Sequence, residues 1–279
     1  MNITSFNPPV RTLMGPGPSD VHPRVLAALA RPTIGHLNPK FVEMMDEVKA
    51  LLQYALQTRN ELTMPVSAPG SAGMETCFVN LVEPGDKVIV CVNGVFGGRM
   101  KENVERLGGV PIVVEDAWGD PVDLNKVADA FKKNPDAKIL AFAHAETSTG
   151  ALSDAKSLVA LAHQHHALAI VDAVTSLAGV PLKVDEWGID AIYSGTQKCL
   201  SCPPGLSPVS ISDARSGKDQ GAQHKSGKLV PRSDAGDELL GRGRQAHLPP
   251  HRTGECALWS ARGAGDVAGG GSGKFLGQA

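Results

Sequence analysis

Lys198 stands in AIYSGTQKCLSCPPG, residues 191–205, among small uncharged side chains, directly after an apolar run and just ahead of Pro203-Pro204-Gly205. No acidic residue lies close to it in sequence, whereas a lysine on a solvated face normally sits among other charges. An amine with room and no salt-bridge partner can serve as nucleophile or proton carrier; an ordinary loop lysine is the competing reading. Asp172 interrupts the apolar run LAIVDAV, where an ionised carboxylate is costly unless a cation or hydrogen-bond donors meet it. A buried, hydrogen-bonded acid at a strand end accounts for it equally well. Gly70-Ser71-Ala72 follows LTMPVSA and opens a helical pattern, which offers backbone N–H groups to an anion. Strand–glycine–helix turns are common, so alone this is a weak signal. Phe96 follows KVIVCV, and His144 with Glu146-Thr147-Ser148-Thr149 follows KILAFAH.

The elements that must gather these positions are legible as alternating patterns. ELTMPVSA, DKVIVCV, VPIVVE, KILAFAH, LAIVDAV and AIYSG are short, nearly continuous apolar runs, as buried parallel strands require. Between them lie helical stretches: GSAGMETCFVNLV, GGRMKENVERLG, VDLNKVADAFKKN and SDAKSLVALAHQHH. Ahead of them, PKFVEMMDEVKALLQYALQTRN repeats apolar residues Phe41, Met45, Val48, Leu52 and Ala55 at helical spacing. Glu83-Pro84-Gly85-Asp86 marks a turn between a helix and the next strand. This alternation predicts an α/β three-layer sandwich with a mainly parallel sheet. In such sheets ligands bind beyond the carboxyl ends of the strands, which is where every candidate above falls.

Composition narrows the partners. The formal charge of −2 on 279 residues gives no support for a nucleic-acid partner. The five cysteines, Cys77, Cys91, Cys199, Cys202 and Cys256, are odd in number and irregularly spaced, against a disulfide framework and for a reducing compartment. Cys199 and Cys202 form a C-x-x-C pair, but zinc needs two further ligands and a redox motif needs another context, so no metal is expected. MNITSFNPPVRT lacks a signal-peptide pattern, and no run of about 18 uncharged apolar residues occurs. The expectation is a soluble cytoplasmic protein without a membrane partner.

The candidates form a kit. A lysine can condense with an aldehyde, a buried carboxylate can hold a pyridine nitrogen protonated, an aromatic ring can cover a flat cofactor, and a helix N-terminus can take a phosphate. Those are the needs of pyridoxal 5'-phosphate. No G-x-G-x-x-G follows the first strand with an acid about twenty residues on, which disfavours a nicotinamide dehydrogenase.

Residues 10 to 215 resemble the large domain of class V, fold-type I aminotransferases, and most of all the alanine/serine–glyoxylate aminotransferase group. The stretches that carry this are LMGPGPSDVHPRVL, SAPGSAGMETCFVNLVEPGDKV, NGVFGGRM, HAETSTG, VDAVTSLAG and YSGTQKCLSCPPG, in matching order and spacing. The resemblance implies that Lys198 bonds the cofactor aldehyde, Asp172 pairs with the ring nitrogen and Thr147 lies near the ring hydroxyl. It places Gly70, Ser71 and Gln197 around the phosphate and Phe96 at the stacking position. Pro69 stands where the family usually has Ser or Thr, which removes one side-chain phosphate contact. Gly17 and Gly35-His36 correspond to segments lining the substrate entrance. The implied substrates are a small amino acid and a 2-oxo acid, and the implied assembly is a homodimer. A cysteine-desulfurase-like lyase is the alternative within class V. Against it, Gln197 stands where desulfurases usually carry histidine. A catalytically dead remnant is the other alternative.

Past Lys198 the family continues with a strand, a helix leading to SWFLDL, a Tyr-His-His-Thr segment and a small domain, and none of these is readable in frame. The sequence therefore divides into 1–216, a cofactor-binding large domain with its N-terminal segment, and 217–279, an irregular tail with the small domain missing or scrambled. Such a Gly-, Arg- and Ser-rich tail cannot bury enough apolar surface to order itself. Shifting the codon frame of the tail by one base changes the picture. GKDQGAQHKSGKLVPRS then permits EKIKARNTKVASWFLDL, and LPPHRTGECALWSARGA permits YHHTAPVNALYGLHEA. The observed residues fix the leading base of each shifted codon, so runs this long argue for an out-of-frame tail. In the family the lost segments reach the cofactor phosphate and bind the substrate carboxylate, so impaired turnover is expected of this chain.

Overall fold

The computed structural model describes residues 7–212; the tail from 217 lies outside the described residues, and with it the reading of its frame. Strands β4 (Ile139–Ala143) and β5 (Leu168–Asp172) are buried along their whole length, as their unbroken apolar character demands. Around them β1 (Leu62–Val66), β2 (Lys87–Val92), β3 (Val110–Glu115), β6 (Ala191–Tyr193) and β7 (Ser207–Ile211) complete a seven-stranded sheet in the order β1-β7-β6-β5-β4-β2-β3. The pairs β2–β3, β2–β4, β4–β5 and β5–β6 are parallel, and β7 runs antiparallel to both β6 and β1. The mainly parallel α/β sandwich expected from the sequence is the one observed.

Alternation along each strand builds two separate cores. Leu140, Phe142, Ala169, Val171 and Ile192 face one layer, with Val127 and Phe131 of α5 (Leu124–Lys133) and Leu158 and Val159 of α6 (Ala155–Gln164). Ile139, Ala141, Ile170 and Tyr193 face the other, with Met74 and Phe78 of α3 (Gly70–Leu81) and Met100 and Val104 of α4 (Val95–Arg106). Truncating a buried aromatic such as Phe131 or Phe78 to alanine would cost about 3–5 kcal/mol. Helix α2 (Pro39–Leu56) buries Phe41, Met44, Val48, Leu52 and Leu56, so its stripe is rotated by one residue from the expected Met45 and Ala55. Its start follows a strong signal: the Asn38 side chain accepts from the Lys40 amide at 2.9 Å, and Pro39 opens the first turn. The short helices α1 (Pro23–Leu29) and α7 (Val184–Trp187) were not anticipated, being too brief to show a period. No helix among the described residues is long and apolar enough to cross a membrane.

Strand β7 supplies the strand past Lys198 that is not readable in the sequence. SPVSI carries two serines and a proline in five residues and shows no sequence signature, yet all five are buried. Their polar groups are satisfied inside the sheet: Ser207 Oγ donates to the Ser194 carbonyl at 2.6 Å, and Ser210 Oγ lies 2.9 Å from Thr63 Oγ1. Because β7 returns antiparallel beside β6, the connection 194–206 leaves and re-enters the sheet at the same edge. That edge is where β1, β2, β4 and β5 end, and Lys198 lies in the middle of the connection.

Candidate active site

Strand register sets the first two groups. Asp172 is the last residue of β5, paired with Ala143 on β4 and Tyr193 on β6. It is 2% exposed. Its Oδ1 accepts from the Val174 amide and its Oδ2 from the Tyr193 phenol, both at 2.8 Å. Burial pushes the carboxyl up to about 6; these two hydrogen bonds and Lys198 pull it down, while the nearby Glu146 charge pushes it further up. Among the described residues no salt bridge reaches Asp172, so its charge is held by donors alone.

Lys198 sits half-buried on the β6–β7 connection, with Nζ donating to the Pro16 carbonyl at 2.8 Å. Burial holds the amine below the ordinary lysine range, opposed by Cys199 and Asp172. The N-terminal segment is tied to the same loop: Ser19 N donates to the Gln197 carbonyl at 2.9 Å and Ser19 Oγ to the Lys198 carbonyl at 2.8 Å. Gly17 lies directly over the lysine, at φ +117, and a Cβ there would overlap the Lys198 Cδ and stand 2.8 Å from its Nζ. Any side chain at position 17 would displace the amine.

The remaining candidates frame the same edge. Helix α3 starts at Gly70 behind Pro69, which gives no side-chain cap, so its first-turn amides have no side chain across them. Gly70 is buried against a Val174 methyl and the Ser194 carbonyl, and Ser71 is exposed at the helix start. Gln197 Oε1 is buried with no hydrogen-bond partner among the described residues. Thr147 Oγ1 lies 2.7 Å from Thr175 Oγ1, which is itself 2.9 Å from the Ala145 carbonyl. Since Thr175 spends its only proton on that carbonyl, Thr147 donates to Thr175 and keeps its lone pairs for a hydroxyl. Phe96 is half-buried in the first turn of α4, and the Arg99 guanidinium lies 5.0 Å from its ring centroid and 3.5 Å from Ser71 Oγ.

Not every candidate joins this group. His144 follows β4, but its ring turns into the α6–α7 layer, edge-on to Trp187 at 5.8 Å. Burial drives it down to about 4, against a smaller upward pull from Asp154, so it stays neutral there. Gly35 and His36 lie on the exposed turn ahead of α2, and their link to substrate rests on the resemblance alone. Two contributors escaped the sequence reading: Tyr193, which holds Asp172, and Thr175, which orients Thr147; Glu146 was visible only as part of a polar run, not as the group that holds the start of α4. None of these roles has a local signal, because each acts through a contact far away in sequence.

The donor set suits a flat, phosphorylated pyridine aldehyde. A ring nitrogen carrying a proton would supply the cation that Asp172 lacks, a phosphate would meet the uncapped amides of α3, and an aldehyde would meet an amine already depressed in basicity. The class-V aminotransferase family model matches residues 20–233. Alanine–glyoxylate aminotransferase of Rattus norvegicus is 42% identical over 210 residues, 75% of this chain and 50% of that protein. The (S)-ureidoglycine–glyoxylate transaminase of Bacillus subtilis is 38% identical over 205 residues, 74% of this chain and 49% of its own length. The crystal structure of an alanine–glyoxylate aminotransferase from Nostoc sp. superposes with a TM-score of 0.87 at 37% identity, covering 94% of this chain and 70% of that one. The chain thus spans about half the length of the curated relatives it matches.

Proposed function

The chain belongs to the class-V aminotransferase family, a pyridoxal-phosphate-dependent family, and on that premise we propose that it binds pyridoxal 5'-phosphate at Lys198 and serves transamination between alanine or serine and glyoxylate. One arrangement carries the reading: Asp172, buried at the end of β5 on neutral donors, and Lys198, half-buried on the β6–β7 connection, stand at the same carboxyl edge of the sheet as the side-chain-free start of α3.

When bound, the cofactor supplies an electron sink that stabilises negative charge at the substrate Cα. The chain's own groups do the rest. Lys198 holds the cofactor through its amine and, once released, carries the proton at the substrate Cα. Asp172 keeps the ring nitrogen protonated, and Tyr193 and the Val174 amide keep Asp172 oriented. Thr147 accepts from the ring hydroxyl. Gly70, Ser71 and Gln197 receive the phosphate, and Phe96 covers one face of the ring and excludes water. Gly17 leaves space for the amine to move, and Gly35 and His36 border the entrance for a small amino acid and a 2-oxo acid.

Glyoxylate as acceptor is supported by the names of the relatives, two of which act on it. We propose in addition that residues 217–279 are read out of frame, that turnover by the chain as it stands is impaired, and that a homodimer is the assembled form. Mixing the frame-restored chain, loaded with cofactor, with alanine, serine or (S)-ureidoglycine tests the donor. The expected result is loss of the bound cofactor's visible absorbance with alanine or serine and its return with glyoxylate. No spectral response to any amino acid would sink the proposal. Restoring one base near codon 216 must also open a long frame; if it does not, the tail is native.

A further inference from the structure

Glu146 is fully buried and spends both carboxylate oxygens on the chain. Its Oε2 accepts from the Phe96 and Gly97 amides at 3.1 and 3.4 Å, and its Oε1 from the Ser148 amide and hydroxyl at 3.0 and 2.7 Å. Ser148 Oγ accepts in turn from the Val95 amide at 3.0 Å. The first three amides of α4 are therefore closed by the loop that follows β4, while Gly94, the residue ahead of the helix, offers no side-chain cap. A Cβ on Gly94 would overlap the Glu146 side chain, so the glycine makes room for it.

This is an expensive way to cap a helix. A serine or aspartate at the N-cap would close the same amides locally, without taking a full charge out of water. The long-range cap does something a local one cannot: it joins Phe96 to the residue immediately before Thr147. We infer that Glu146 is a positioning residue of the ring site, fastening Phe96 to the loop that carries Thr147 so that one buried carboxylate sets two of its walls. The inference rests on the cofactor reading above. Charge-assisted acceptance at a helix N-terminus makes the fastening strong, and the same charge adds to the proton affinity of Asp172.

Glu146→Gln keeps the shape but only one acceptor oxygen, so either the α4 amides or Ser148 must face an NH₂ group. The probe is pyridoxine 5'-phosphate, which lacks the aldehyde and so reports non-covalent seating, titrated into the full 279-residue chain. With Phe96 intact, Glu146→Gln should weaken binding about tenfold; with Phe96→Ala it should weaken it only about threefold, because the Phe96 wall is already lost and only the Thr147 wall remains to be loosened. Additive losses would overturn the inference, since a merely structural acid would act equally in both backgrounds. If the unsubstituted chain fails to bind the probe, the cofactor reading fails instead. The ligand-free chain then decides the fastening by hydrogen exchange. The Phe96 and Gly97 amides should exchange at least about tenfold faster in Glu146→Gln, and unchanged exchange would overturn it.

Discussion

The two ends of the sheet treat buried acids differently. At the amino ends of β2, β4 and β6, Asp86 is 7% and Asp190 6% exposed, and each meets a basic partner. Asp86 pairs with Lys138 and accepts from the Glu83 amide; Asp190 lies 2.9 Å from His163 Nε2 and accepts from the Ala169 amide. At the carboxyl ends, Asp172 and Glu146 are buried more deeply, yet among the described residues their hydrogen-bond partners are amides and hydroxyls. Glu146 is used up on the start of α4 and on Ser148, which leaves Asp172 as the buried acid that an arriving cationic group could still meet. On the proposed reading the paired acids serve stability and Asp172 serves the cofactor's ring nitrogen.

The comparison is broken most forcefully by substitution at its two poles. Asp172→Ala should weaken pyridoxal 5'-phosphate binding by about 100-fold or more, since it removes a desolvated charge partner. Asp86→Ala should change that affinity less than about twofold. Equilibrium dialysis of the two variants side by side is the check, and equal effects would erase the distinction.

Stability against pH gives the next effect. The Asp172 carboxyl is raised from its ordinary 3.8 to about 6 in the fold. The folded state therefore binds its proton more tightly, and the associated stability is complete below the ordinary value and lost as pH rises through about 6. The loss amounts to about 3 kcal/mol, so ligand-free Asp172→Asn should gain on the unsubstituted chain by that order between pH 4 and 7 in urea unfolding. His144 has the opposite sign. Its pKa is lowered from 6.5 to about 4, so its contribution is complete above 6.5 and lost as pH falls through 4. His144→Phe should remove about 3 kcal/mol of that acid-side loss, tilting the profile the other way. The smallest effect belongs to the amino end: His163→Ala should cost about 1 kcal/mol through Asp190 and leave cofactor affinity unchanged.

How much of this was legible in the sequence follows the same division. The parallel strands were plain because burial on both faces leaves an unbroken apolar run, and Asp172 stood out as the charge interrupting one. Lys198 stood out through its uncharged setting. Strand β7 was invisible because Ser207 and Ser210 look polar until Ser194 and Thr63 are known to lie opposite them. Glu146 read as one member of a polar loop, because its partners Phe96 and Gly97 lie some fifty residues earlier. Pattern shows what is buried; it does not show what a buried group touches.

The central claim is that the amine of Lys198 is the covalent seat of pyridoxal 5'-phosphate opposite Asp172. Borohydride reduction of the chain with this cofactor, followed by peptide mapping, tests it most directly. The label should fall on the peptide containing Lys198, vanish in Lys198→Ala, and drop sharply in Asp172→Ala but not in Asp86→Ala. A label on other lysines that survives Lys198→Ala, with position 198 unmodified, would contradict the account.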